Sequence, residues 1–247
     1  MSRVRWDAPG EKKYEVGVDH CVLYPVNTEN EYTPGVAWNG IIQVAETPEG
    51  GEPNKQYADN IPYLVMMSAE ELGGTIEAYM YPKEWEACDG SAELAPGIVI
   101  GQQTRKTFGL CYRTKVGDDV NGDTAGYKYH LLYGAKVSPS ERTYETINDS
   151  PEPITFSWEY TTTPVSVEGF NPTALLVINS IDANPEKLKA LEDILYGTDA
   201  GEGGTASDPR LPLPDEVKAL FADAAPTVLR AARDSYKVNN SAPILNK

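Results

Sequence analysis

Apolar and polar side chains alternate with a period of two through much of the middle of the chain. Over residues 75–81, Ile76, Ala78 and Met80 share one face, and over 106–112 Phe108, Leu110 and Tyr112 do. Over 127–133, Tyr127, Tyr129, Leu131 and Tyr133 lie opposite Lys128 and His130. Over 154–160, Ile154, Phe156, Trp158 and Tyr160 lie opposite Thr155, Ser157 and Glu159. Successive side chains of a strand point to opposite sheet faces, so these runs predict half-buried antiparallel strands, aromatic inside and polar outside. Shorter strands are predicted over 16–26, 36–45, 63–68, 97–101 and 174–180.

Turn chemistry separates the strands. Gly117-Asp118-Asp119-Val120-Asn121-Gly122-Asp123 predicts an acidic hairpin tip, and residues 46–54, rich in Gly, Pro and Glu, predict an exposed loop. Helices are few. Residues 82–88 form a short one, opened by Pro82 and closed near Asp89-Gly90. Asn184-Pro185-Glu186 caps a run to Tyr196 in which Leu188, Leu191, Ile194 and Leu195 fit one helical face, with Gly197 as a stop. Further short helices are expected at 214–221 and 227–236, and little order in 238–247. The reading divides the chain into an N-terminal arm (1–14), a β domain with a flanking helix (15–200), a linker (201–213) and a C-terminal helical arm (214–247).

Charge narrows the function. The chain of 247 residues carries 37 acidic and 21 basic residues, a net of -16. Residues 14–213 hold 31 of the acids and 12 of the bases. A body this acidic repels a nucleic acid duplex, so sequence-specific DNA binding is not expected. No run approaches the roughly 18 to 20 apolar residues of a membrane span, and the first residues lack the apolar core of a signal peptide. Three cysteines without CxxC spacing encode neither a disulfide framework nor a zinc site.

Chemical candidates are sparse. A calcium loop started at Asp119 has Thr124 where glycine belongs and His130 where the last glutamate belongs. With two histidines and no Gly-x-Ser-x-Gly, a Ser-His-Asp hydrolase lacks material. Glu77 and Glu159, both on polar strand faces, supply the carboxylate pair of a conceivable glycosidase. From these features alone the chain is an acidic β-rich domain, with no catalytic residues, metal or cofactor expected.

Several stretches carry a resemblance. They include Gly17-Val18-Asp19, Leu23-Tyr24-Pro25, Gly35-Val36-Ala37-Trp38-Asn39-Gly40, Tyr57-Ala58-Asp59-Asn60 and Ala87-Cys88-Asp89-Gly90. The most specific are Glu70-Glu71-Leu72-Gly73-Gly74-Thr75-Ile76-Glu77-Ala78-Tyr79 and Gly101-Gln102-Gln103-Thr104-Arg105-Lys106-Thr107-Phe108-Gly109-Leu110-Cys111-Tyr112-Arg113. Ile147-Asn148-Asp149-Ser150-Pro151 and Leu191-Glu192-Asp193-Ile194-Leu195-Tyr196-Gly197 continue it. Taken in order along the chain, they resemble the major tail (tail tube) proteins of phages with long, non-contractile tails, across roughly residues 15–222.

The resemblance implies a mainly β fold, a tail-tube-type antiparallel β-sandwich or partial barrel with a flanking α-helix. Six copies would close into a ring, and rings would stack into a tube around a tape-measure protein. Tail terminator and distal tail proteins would meet its ends, and phage DNA would pass through without specific binding. The location implied is the virion tail, after synthesis in the host cytoplasm. On this reading loop 46–62 makes the ring-to-ring contact, through Glu49, Glu52, Asn54, Tyr57, Asp59 and Asn60, with Tyr57 as an aromatic anchor. The polar strand faces supply candidates for the bore, namely Glu77, Arg105, Arg113, Lys128 and Glu159. The basic N-terminal residues Arg3, Arg5, Lys12 and Lys13 are either an arm on an acidic neighbour or a frayed end. Residues 223–247 fall outside the resemblance; as an arm they would use Val228, Leu229 and Tyr236. The alternative is a monomeric β-sandwich that binds cell-surface carbohydrate.

Overall fold

The computed structural model describes residues 4, 6–147, 149–150, 152–200 and 206–222. The strands are β1 (Tyr14–Pro25), β2 (Val36–Ala37), β3 (Ile41–Gly50), β4 (Pro53–Ala58), β5 (Ile61–Met67), β6 (Glu70–Ala78), β7 (Ala92–Ala95) and β8 (Ile98–Ile100). They continue as β9 (Phe108–Asp118), β10 (Gly122–Val137), β11 (Phe156–Thr162), β12 (Val165–Val167), β13 (Phe170–Thr173) and β14 (Leu175–Asn179). The helices are α1 (Glu86–Asp89), preceded by a 3-10 turn, α2 (Pro185–Tyr196) and α3 (Pro214–Phe221).

Eight strands form one antiparallel sheet in the order β2-β1-β9-β10-β11-β6-β3, with β14 also paired to β10. One edge of β10 serves two partners: residues 128–132 pair with β14 and residues 135–137 with β11. The handover lies at Gly134, where the β9–β10 register shifts. Gly134 has φ +59°, and a Cβ there would collide with the Thr163 carbonyl. The bulge bends β10 and turns the second half of the sheet back over the first. The hydroxyl of Tyr112 on β9 donates to Glu46 on β3, so strands far apart in sheet order meet across the curl.

The curl encloses a first core. Trp38, Trp85, Trp158 and Phe108 meet there with ring centroids 4.4–5.8 Å apart, tilted or edge-on, and the Trp38 indole N–H donates to the Met80 carbonyl at 2.8 Å. These tilted and edge-on contacts suit the charge distribution of aromatic rings. A second core covers the outer face of β1, β9, β10 and β14. Tyr24, Cys111, Tyr129, Leu131 and Tyr133 pack there against Leu188, Leu191 and Leu195 of α2 and Val217 of α3. The buried hydroxyls of Tyr24 and Tyr133 donate to the carbonyls of Leu195 and Pro212 at 2.7 and 2.9 Å, so neither polar tip is left unpaired.

The mainly β architecture, the flanking helix and the helix ends match the sequence reading. Asn184 accepts from the N–H groups of Glu186 and Lys187, capping α2 as expected. Four expectations are corrected. First, β9 and β10 are buried on both faces, because helices cover the outer one. Second, residues 46–62 are a paired hairpin in place of a loop. β3 runs to Gly50 as an edge strand, where Pro48 is tolerated, and Pro53 is the first residue of β4. Third, residues 206–213 are no tether: Leu211 is buried in the second core, and the Arg210 N–H donates to Ile194. Fourth, α3 belongs to the second core and is not a separate arm. Arg3, Arg5, the glycines of 201–204, the helix expected at 227–236 and the tail lie outside the described residues. No helix among the described residues is long and apolar enough to cross a membrane.

Candidate functional site

Two features stand apart from ordinary packing: an exposed hairpin and a polar cluster inside the curl. The hairpin is β4–β5, which continues outward from the β3–β6 pair but hydrogen-bonds to no other strand among the described residues. Asp59 and Asn60 have φ of +51° and +63° and form its tip, the backbone a tight two-residue turn demands. Every residue of β5 is exposed. Tyr57, Ile61, Tyr63, Leu64, Val65, Met66 and Met67 are 49–74% exposed, on both faces of the ribbon. A two-stranded ribbon is marginal in water alone, and contiguous apolar surface of this size marks an interaction site.

All six expected contact residues belong to this region. Glu49 lies exposed at the end of β3 opposite Glu71, and Glu52 is exposed just before β4. Asn54 and Tyr57 are on β4, and Asp59 and Asn60 make the tip. Sequence reasoning placed a strand at 63–68 beside them but did not single out its apolar run as a contact surface, because a run without alternation does not show which faces are exposed. Smaller exposed apolar patches occupy the β7–β8 hairpin, at Leu94, Ile98 and Val99, and Phe170 of β13.

The five expected bore residues do not share a face. Glu77 and Glu159 lie together on the outer, uncovered face of β6 and β11, since Ile76, Ala78, Trp158 and Tyr160 fill the core side. Arg113 points to the helix-covered side, bound to Asp19 at 2.7 and 3.0 Å, with its guanidinium 5.1 Å from the Tyr127 ring centroid. Lys128 points into the curl. Arg105 precedes β9 and lies against Gly90, off the sheet altogether.

Lys128 belongs to the polar cluster. It pairs with Glu15 of β1. Thr114 of β9 also donates to Glu15, and its hydroxyl oxygen lies 3.2 Å from His130 Nε2. His130 Nδ1 is 3.0 Å from Glu46 Oε1, and the imidazole stacks on Tyr112 with centroids 4.7 Å apart. The hydrogen bond with His130, joined by that of Tyr112, holds the Glu46 carboxyl below its usual pKa against the opposing effect of burial. Hydroxyl, imidazole and carboxylate stand in the order of a hydrolytic relay, but the Thr114 proton is committed to Glu15. The principal cavities are lined by other residues. The cluster's chemistry is that of a latch between β3 and the β1–β9–β10 wall.

The remaining chemical candidates are accounted for locally. Asp118 accepts from the N–H groups of Val120 and Asn121, so its carboxylate closes the hairpin turn. Among the described residues no group of three or more His, Cys, Asp or Glu is arranged to hold a metal ion. All three cysteines are buried and unpaired, and burial pushes the Cys88 thiol up to about 12. Glu159 lines a cavity of about 260 Å³ with Glu49 and Glu71, and Glu77 is not part of it. In sequence comparison, no protein-family model matches the chain and no curated protein matches it.

Proposed function

We propose that this chain is a structural virion protein that assembles into stacked hexameric rings, forming the tail tube through which a phage ejects its genome. The observation that carries the reading is the β4–β5 hairpin, which presents large apolar side chains on both faces and pairs with no other strand among the described residues. Such a ribbon gains its stability from another surface, and the resemblance of residues 15–222 supplies one: the neighbouring ring. The partners are further copies of the chain, a tape-measure protein in the bore, and terminator and distal tail proteins at the ends.

Packing also suggests which face lines the bore. Helices α2 and α3 cover one side of the sheet, whereas the outer face of β3, β6 and β11 is uncovered and polar, bearing Gln43, Thr75, Glu77, Ser157 and Glu159. With Glu49 and Glu71 further along the same strands, that face holds four acids and no base. Turned inward in a ring, it repels the duplex, whereas a cationic wall would trap it by counterion release. This assignment keeps Glu77 and Glu159 as bore residues and drops Arg105, Arg113 and Lys128.

Sedimentation velocity over a concentration series tests the reading. The wild type should form species far above 27.0 kDa. The doubly substituted Tyr63→Lys, Val65→Lys chain, altered only at exposed positions, should keep its fold and fail to form tubes. Tubes of normal length from that variant would remove the hairpin from the contact.

A further inference from the structure

The hairpin needs an acceptor. An apolar groove of about 820 Å³ runs between β14, the β12–β13 hairpin and α3, with Val167, Phe170, Pro172, Val177, Val217 and Phe221 among its walls. Among the described residues β14 pairs only with β10, so its other edge opens on this groove. The side chain of Thr173 caps the Leu175 edge groups, and the Asn179 carbonyl accepts from Asp182 and Ala183, which leaves the edge open around Val177. None of the chain's own hairpin residues lines the groove.

Resting on the self-assembly reading above, we infer that this groove receives the β4–β5 hairpin of a second copy. Three observations favour that occupant. The bulge of β5 opposite Gln56 and Tyr57 puts Ile61, Leu64 and Met66 on one face of the ribbon and Tyr57, Val65 and Met67 on the other, all 49–71% exposed. Side chains of that size and exposure provide apolar area on the scale of the roughly 800 Å² that each partner buries in a stable interface. Charge is compatible as well: in a chain of net -16, residues 53–67 carry only Lys55 and Asp59. The groove rim matches with one acid and one base, Asp182 and Lys218, and Lys218 is held by the Glu168 carbonyl at 2.8 Å. Two nearly neutral apolar surfaces therefore meet where the rest of the body repels its copies. Finally, hairpin and groove are different patches of one chain, so their union is head-to-tail. Each added copy offers a fresh hairpin or a fresh groove, and growth does not stop at a pair.

That asymmetry gives the test. A hairpin-blocked chain (Tyr63→Lys, Val65→Lys) and a groove-blocked chain (Phe170→Lys, Val177→Lys) are compared with wild type by sedimentation velocity, with circular dichroism confirming the fold. Val177→Lys alone serves as a milder groove variant. Each blocked chain should lose every species larger than its basic unit, whether monomer or ring. Mixed after separate purification, the two should give twice that unit's mass and nothing larger, because one free hairpin set meets one free groove set and both are then used up. If wild type polymerises, the hairpin-blocked chain does not, and both groove variants polymerise like wild type, the groove assignment is overturned while self-assembly stands. A wild type that remains at 27.0 kDa at every concentration overturns the self-assembly reading, and this inference with it. If deletion of residues 223–247 opens the groove to an apolar dye that the full-length chain excludes, the occupant is the chain's own C-terminal segment, and the inference is likewise overturned.

Discussion

His130 sits between two carboxylates, Nδ1 3.0 Å from Glu46 and Nε2 3.5 Å from Glu15, with its side chain 12% exposed. Glu46 titrates below its ordinary value in the folded chain, first because of its hydrogen bond with His130. A carboxyl depressed on folding contributes stability that is present above its unfolded pKa and lost as pH falls through its folded pKa. Glu46→Gln should therefore cost about 1–3 kcal/mol at neutral pH, the scale of a charged hydrogen bond with its partner left behind. The difference from wild type should persist down to the ordinary carboxylate range and close only below it, as pH falls through the depressed folded pKa of Glu46 and both chains come to carry a neutral side chain. Urea denaturation across that range measures it, and parallel stability curves would show that the latch contributes nothing. The polarity of position 130 was legible in the sequence, but its partners were not. Glu46 and Glu15 lie 84 and 115 residues away on strands that alternation describes one at a time. A period of two says which side chains share a face, not which faces curl together.

Among the elements, the handover on β10 holds the fold together. Gly134 occupies left-handed backbone beside the Thr163 carbonyl, and the Thr163 N–H donates to the Gly134 carbonyl at 2.9 Å. Gly134→Ala forces both a strained φ and a clash, so it should destabilise by about 1–3 kcal/mol or more. Thermal or urea unfolding checks this, and an unchanged midpoint would mean that the bulge does not depend on glycine. Caps and stops carry their own local chemistry, which is why α2 and α3 could be placed from sequence within about two residues. Residues 46–62 could not. Their Gly and Pro content reads as loop, yet an edge strand accepts Pro48 and a strand start accepts Pro53. The apolar run of β5 was visible as a strand, but a run without alternation gives no sign of being exposed on both faces.

For the whole molecule, net charge and uncovered surface have to be reconciled. The chain carries a net of -16, which keeps its copies apart, so association falls to the weakly charged surfaces, foremost the hairpin. If the uncovered face of β6 and β11 lines a bore, Glu77→Lys with Glu159→Lys should leave tube assembly intact and slow genome delivery. Unchanged delivery by virions carrying both substitutions would place that face elsewhere. Composition made the acidity plain, but which acids share a face depended on the curl of the sheet and on where α2 and α3 pack. Cryo-electron microscopy of polymers grown from the wild-type chain reaches the central claim most directly. The tube reading predicts stacked six-fold rings around an open channel lined by β3, β6 and β11, with β4–β5 hairpins bridging consecutive rings. Isolated monomers, or polymers without a channel in which the hairpins face solvent, would contradict it.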